Sequence, residues 1–332
     1  MCIRDRGKAC GPIEILKTLS RVSSMITQGG KRDGANMAVM SIYHPDIEDF
    51  ILCKTQEGDI HNFNISVGVD SNFMKAVMNN AQYPLIHPTT DKIVKWVSAS
   101  DMFNLIVDGA WRNGEPGLVF IDHINKDNRV QAEHGDMIAT NPCGEQPLLG
   151  NESCNLGSIN LVKFLQESDD SEWESKIDWK TLGDMTRLAV RFLDNVIDAN
   201  QYATLDIDVM TKSTRKIGLG VMGFADLLIA LQVPYNSDTA IEIGKGLISY
   251  IRKMADDMSL DLGAMRGTFP SWEQSDYGPH QPYRNACRLS IAPTGTISMI
   301  ADTSSGIEPT FSLVWKKSNI LEGKTLDYGN KY

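Results

Sequence analysis

One segment constrains this chain more than any other: Asn141-Pro142-Cys143-Gly144-Glu145-Gln146-Pro147-Leu148. Pro142 fixes one backbone angle and Gly144 suits a turn, so the stretch reads as a loop and not as a continuing helix or strand. The loop carries a thiol and a carboxylate two residues apart. In an extended loop residues i and i+2 point the same way. On that geometry a small substrate meets the Cys143 sulfur and the Glu145 carboxylate together.

A second thiol, Cys154, follows eleven residues later inside Glu152-Ser153-Cys154-Asn155-Leu156-Gly157-Ser158-Ile159-Asn160-Leu161. On spacing alone the two cysteines fit redox or nucleophilic chemistry, and they fit equally a pair of small buried residues. A structural zinc site lacks its other ligands, because no Cys-x-x-Cys or His pair accompanies them. His44, His61, His87, His123, His134 and His280 show no metal spacing, so the expectation is no metal site. A cysteine hydrolase would need a histidine partner for its thiol, and none is recognisable.

The 332 residues suffice for one large domain or two ordinary ones, and 42% apolar content allows a sizeable core. A net charge of −10 argues against a nucleic-acid backbone as partner, though not against a nucleotide in a local pocket. Six cysteines are too sparse for a disulfide framework, which fits a reducing, cytoplasmic setting. No apolar run reaches the length of a membrane span.

Helical and strand-like periods alternate along the chain, which indicates an α/β architecture. Phe103, Ile106, Val107, Ala110 and Trp111 recur at helical spacing, with Ser100 as N-cap. Gly114-Glu115-Pro116-Gly117 then stops the helix, and Leu118 to Ile121 reads as a buried strand. Leu182, Met185, Ala189, Phe192 and Val196 mark a second amphipathic helix. Ile241, Gly244, Ile248, Ile251, Ala255 and Met258 mark a third. Asn62 to Val69 is strand-like and precedes a short helix near Phe73 to Val77. Gly218-Leu219-Gly220-Val221-Met222-Gly223 has dinucleotide-loop spacing, but Ser213-Thr214-Arg215-Lys216 before it does not look like a buried strand, so that reading is rejected.

The Asn-Pro-Cys-Gly-Glu-Gln-Pro-Leu and Glu-Ser-Cys-Asn-Leu-Gly-Ser-Ile-Asn-Leu motifs together closely resemble the catalytic large chain of ribonucleotide reductases, most of all the adenosylcobalamin-dependent class. Gln28 to Met37, His44-Pro45-Asp46-Ile47 and Ala292 to Ser298 agree in order and spacing, and the resemblance runs from about Gly11 to about Lys317. It implies part of a ten-stranded α/β barrel with a central finger loop that carries the radical cysteine. Met1 to Arg6 match nothing in the family, and residues 1–10 read as a non-native or disordered leader; 11–332 read as an incomplete catalytic barrel domain whose flanking parts lie outside this chain.

The resemblance also implies roles. Cys143 becomes a thiyl radical, Glu145 acts as base on the 3′-hydroxyl, Asn141 holds the ribose, and Cys154 is one of two thiols that deliver reducing equivalents. The partner of Cys154 belongs upstream of this chain; Cys10 is not at that position, and Cys53 and Cys287 match no catalytic position. Pro293-Thr294-Gly295-Thr296-Ile297-Ser298 binds substrate phosphates, and Gly11 aligns with a glycine that touches substrate. The loop Lys54 to Asn62, with Lys54, Gln56, Gly58 and Asn62, senses a deoxynucleotide effector, and Lys17 adds positive charge. The implied partners are a ribonucleoside di- or triphosphate, the effector, a thioredoxin- or glutaredoxin-like reductant and a second copy of the chain. The radical source is adenosylcobalamin, with a di-iron small subunit as the alternative. A nucleotide-binding scaffold without turnover is the competing reading.

Overall fold

The computed structural model describes residues 10–25, 34–55, 60–312, 314–318 and 325–329. Residues 1–9 of the expected leader, the Gln28 to Asp33 part of one family motif, and Gln56 and Gly58 lie outside the described residues. The chain divides into two compact units, residues 1–128 with 136–149, and residues 129–135 with 150–332.

The first unit is built on a parallel sheet. Its elements are α1 (Gly11–Met25), β1 (Asn36–Ser41), α2 (Ile47–Leu52), β2 (Phe63–Val69), α3 (Ser71–Met78), β3 (Gln82–Ile86), β4 (Ile93–Ser98), α4 (Ala99–Asn113), β5 (Gly117–Phe120) and α5 (Ile121–Asn125), closed by the two-residue strands β6 (Ala139–Thr140) and β7 (Pro147–Leu148). The sheet order is β1-β2-β5, all parallel. β2 is the middle strand and is buried at every position except Asn64, as expected of a parallel strand covered on both faces. Ile65, Val67, Phe50, Phe73, Met102 and Ile106 share its core.

The helix at 99–113 forms as its periodicity predicts, and Gly114 ends it in a left-handed conformation at φ 84°. The cap differs from expectation. Ser98 Oγ, not Ser100, accepts the Asp101 N–H, at 3.2 Å, while Ser100 Oγ donates to the Val77 carbonyl. Either serine could cap; the extended backbone at Ser98 decides.

The second unit holds α6 (Gln131–His134), β8 (Asn155–Asn160), α7 (Trp179–Ala199), α8 (Leu205–Thr214), β9 (Ile217–Met222), α9 (Phe224–Ala230), α10 (Asp238–Arg266), α11 (Ile297–Ile300), and the hairpin of β10 (Val314–Ser318) and β11 (Thr325–Gly329). β8 and β9 pair in parallel, and α7 and α10 share their core through Leu182, Val190, Leu193, Ile243, Leu247 and Ile251. α7 presents a different face from the one its apolar residues suggest. Gly183, Thr186 and Asp194 are buried, while Met185 and Phe192 are 43% and 64% exposed. Apolar counting misses this face because its polar members are satisfied internally. Thr186 Oγ1 donates to the Leu182 carbonyl, and Asp194 receives the Arg215 guanidinium at 2.8–3.0 Å. α10 shifts in the same way, burying Ile243 and Leu247 and exposing Ile241.

The Gly218-x-Gly220-x-x-Gly223 run lies within and just after β9, not after a strand as a dinucleotide loop would. A Cβ on Gly220 would stand 2.2 Å from the Ser290 carbonyl oxygen, and one on Gly218 2.5 Å from Leu156. The glycines serve close packing. Among the described residues no sheet closes on itself, so the α/β barrel present here is partial.

Candidate functional site

The Cys143 segment is a tight turn. β6 and β7 pair antiparallel, Ala139 with Leu148 and Thr140 with Pro147. Between them the Asn141 N–H donates to the Gln146 carbonyl at 3.2 Å, and the Gln146 N–H donates back to Asn141 Oδ1 at 3.0 Å. The Gly144 N–H reaches the Asn141 carbonyl at 3.0 Å, with Gly144 at φ 85°. The expected extended loop is therefore not what forms, and the i, i+2 alternation does not govern Cys143 and Glu145. Gly144 reverses the chain between them. Cys143 is exposed at the tip, whereas Glu145 is half-buried with its Oε2 shielded from solvent. Asn141, Cys143 and Glu145 still share one six-residue turn.

This turn borders a cavity of about 620 Å³ whose lining includes Asn64, Ser66, His123, Thr140, Pro142 and Cys143. Asn64 and His123 were given no part in the site by the sequence reading. Asn64 Nδ2 donates to the Pro142 carbonyl at 2.6 Å. His123 stacks on Phe120 with ring centroids 5.5 Å apart. An amide in a mostly apolar strand was the available signal for Asn64; His123 carried none.

Cys154 belongs to the second unit, immediately before β8. Its neighbours are strongly fixed. The Ser153 N–H and hydroxyl both contact Thr211 Oγ1, at 3.2 and 2.8 Å. Glu152 is fully buried, 2.8 Å from Lys216 Nζ, and accepts the Thr214 hydroxyl at 2.6 Å. Asn155 Nδ2 donates to the Leu193 carbonyl at 2.9 Å. Gly218 packs beside the sulfur, where a Cβ would lie 3.4 Å from Cys154 Sγ. The five described cysteines, Cys10, Cys53, Cys143, Cys154 and Cys287, are all thiols. Burial raises the Cys53 thiol to about 11.

The 293–298 segment splits into scaffold and surface. Thr294 sits at φ 55° with its hydroxyl accepting the Gly306 N–H at 2.7 Å, and Ser298 is 1% exposed with its hydroxyl on Ser305 at 3.0 Å. Pro293, Gly295, Thr296 and Ile297 are exposed, just ahead of and at the start of the single-turn α11. Asp226 Oδ2 accepts Thr303 Oγ1 and the Ser304 N–H from beneath, tying this rim to α9.

The two described ends of the 54–62 loop are engaged in holding the first unit. Lys54 pairs with Glu115 and donates to the Phe63 carbonyl. Asn62 is buried and donates to the Ser20 carbonyl at 2.9 Å and to Ser24 Oγ at 3.1 Å in α1. Gly11 opens α1 at φ 77° with open space around it, and Lys17 pairs with Glu14 at 2.9 Å. Among the described residues no helix is long and apolar enough to cross a membrane.

Comparison with known proteins gives the family. The ribonucleotide reductase barrel-domain family matches residues 2–283 and 278–331. The chain is 46% identical over 323 residues to a vitamin B12-dependent ribonucleoside-diphosphate reductase of Thermoplasma acidophilum, covering 97% of this chain and 41% of the relative. To the protein of the same name from Mycobacterium tuberculosis it is 43% identical over 313 residues, 94% of this chain and 44% of the relative. To a ribonucleoside-diphosphate reductase subunit alpha of Chlamydia muridarum it is 28% identical over 387 residues, 95% of this chain and 36% of the relative. The chain belongs to the ribonucleotide reductase barrel-domain family. It spans about two fifths of the length of the curated relatives it matches.

Proposed function

We propose that this chain is the catalytic core of a ribonucleotide reductase that converts ribonucleotides to 2′-deoxyribonucleotides by thiyl-radical chemistry. The observation that carries the reading is the Asn141–Gln146 turn, which presents an exposed thiol, a shielded carboxylate and an anchored amide within six residues at the edge of a cavity.

Each residue then has a task. Cys143 as a thiyl takes the 3′ hydrogen atom of the ribose and returns it to the same carbon at the end of the turnover, a transfer that sulfur suits because its S–H bond is comparable in strength to the activated C–H bond. Glu145 holds the 3′-hydroxyl proton, a positioned proton transfer. Its shielded oxygen favours that task, since water competes less for it. Loss of the 2′-hydroxyl as water consumes two hydrogen equivalents, drawn from two thiols that close a disulfide. Cys154 is one, its partner comes from elsewhere in the parent protein, and an external dithiol of the thioredoxin type reduces the product disulfide. The exposed Gly295, Thr296 and Ile297 backbone takes the substrate phosphates, with Thr294 and Ser298 shaping the turn from below. Deoxynucleotide regulation through the 54–62 loop and pairing with a second copy complete the reading.

The radical comes from outside these residues. They fit a cobalamin in one respect: Cys143 is exposed beside an open cavity, so Pro142, Cys143 and Gly144 would face the group. When bound, adenosylcobalamin supplies, by homolysis of its cobalt–carbon bond, the radical that is passed to the thiol.

The test is made on the full-length parent with ribonucleotide and a dithiol. Reduction is expected with added adenosylcobalamin and is expected to vanish in Cys143→Ala while nucleotide binding persists. Appreciable reduction by that variant removes the assignment. Activity with iron and a small subunit, and none with the corrin, transfers the protein to the di-iron class.

A further inference from the structure

We propose that Asp226 is a positioning residue for the 293–298 segment; the proposal rests on the phosphate-binding role given to that segment above. Asp226 lies in the first turn of α9 and is buried. A buried carboxylate needs partners, and Asp226 takes them from one stretch of chain. Oδ2 accepts the Thr303 hydroxyl at 3.1 Å and the Ser304 N–H at 2.9 Å. The Asp226 N–H in turn donates to Ser304 Oγ at 3.2 Å, and the Gly223 N–H to the Ser304 carbonyl at 2.8 Å. Ser304 is thus fastened at the start of α9 through its N–H, its hydroxyl and its carbonyl.

The fastened stretch holds the 293–298 segment at three points. The Thr303 N–H donates to the Ser298 carbonyl at 3.0 Å, the Ser305 and Ser298 hydroxyls meet at 3.0 Å, and the Gly306 N–H donates to the Thr294 hydroxyl at 2.7 Å. Thr294 and Ser298 bracket the exposed Gly295, Thr296 and Ile297. Thr294 sits at φ 55°, a region that a β-branched residue holds only when its surroundings over-determine it. Residues 303–306 therefore set the separation of the two ends and the direction of the amides between them, and Asp226 sets residues 303 and 304. A role through charge alone has the opposite sign. A carboxylate repels a phosphate bound nearby, so its removal would then tighten binding. Positioning requires that its removal weaken it.

The experiment reads the phosphates apart from the sugar and base. In the full-length parent, cytidine and its mono-, di- and triphosphates are titrated calorimetrically, with the thermal midpoint as a check on folding. Wild type is expected to gain affinity as phosphates are added. Asp226→Ala loses both hydrogen bonds and is expected to cut that gain about tenfold, with cytidine itself bound as before. Asp226→Asn keeps the shape and exchanges two charge-assisted bonds for neutral ones of about half the strength, so the expected cut is about threefold. Thr303→Val, from the other side of the contact, should resemble Asp226→Asn. In turnover the loss is expected in KM and not in kcat. A folded Asp226→Ala protein with the wild-type phosphate gain overturns the proposal, and so does tighter phosphate binding in the two Asp226 variants. If Asp226→Ala does not fold, Asp226→Asn and Thr303→Val decide, and the wild-type gain in both overturns it. Thr296→Pro tests the segment itself, removing one exposed N–H at a φ of −94° that a proline ring can approach. A phosphate gain untouched by Thr296→Pro removes the phosphate reading of 293–298. A gain lost in Thr296→Pro and kept in Asp226→Ala removes only the role of Asp226.

Discussion

Lys216 Nζ stands 2.8 Å from Glu152 Oε2, with both side chains almost wholly withdrawn from water. Thr214 completes the cluster with a hydroxyl on the other carboxylate oxygen. Two charges taken out of water in this way depend on each other. Lys216→Met leaves a buried carboxylate without its counter-charge and is expected to cost about 3–5 kcal/mol in urea unfolding. Adding Glu152→Leu to it should recover most of that loss. Equal loss in single and double variants would show that the pair is not the unit of stability.

Gly220 is expected to tolerate nothing larger. An added methyl would stand 2.2 Å from the Ser290 carbonyl oxygen, a backbone atom that cannot swing aside. Gly220→Ala should therefore destabilise by at least the ~1–3 kcal/mol of an overpacked core, read as a lowered thermal midpoint. Gly150→Ala, which meets open space, is the matched control and should leave the midpoint unchanged.

Glu145→Gln separates proton transfer from binding. In the full-length parent it should lower kcat about 10²–10⁴-fold with little change in KM. A variant that raises KM and spares kcat would make Glu145 a binding residue.

Cys53 offers a pH readout. Burial lifts its thiol from 9.0 to about 11. Between those values the unfolded chain loses its proton before the folded chain does. The stabilisation is thus complete below pH 9 and is lost as pH climbs towards 11. Cys53→Ala should flatten the decline of unfolding free energy over that window. Iodoacetamide should label Cys53 slowly at pH 8, and well after the exposed Cys143.

The elements were legible in the sequence wherever the residues inside a face were apolar. β2 came out as read because Ile65 and Val67 announce themselves; α4 formed too, but it buries Ala99, Met102 and Ile106 and exposes Val107 and Trp111, and β5 ends at Phe120 with only Val119 buried, Ile121 opening α5. The buried face of α7 did not, because Thr186 and Asp194 satisfy their polarity internally and so look like surface residues. The site divides in the same way. Asn141, Cys143 and Glu145 were visible as a motif, but the shape of their loop was not. Gly144 can sit in an extended strand or at positive φ, and the choice is made by the Asn141–Gln146 hydrogen bonds. Thr294 and Ser298 read as phosphate donors by type, yet their hydroxyls are committed to Gly306 and Ser305. Asn64 bonds to the Pro142 carbonyl across 78 residues, a distance no local pattern reports.

The Asn141 side chain has its oxygen committed to the Gln146 N–H. Oδ1 keeps one lone pair beyond that bond, whereas Nδ2 can give two hydrogens, so the amide is biased towards donating. On the proposed reading, a sugar hydroxyl seated against Nδ2 turns its lone pairs to the amide and its own proton elsewhere. The contact that shapes the turn thus biases which end of a hydroxyl faces the protein.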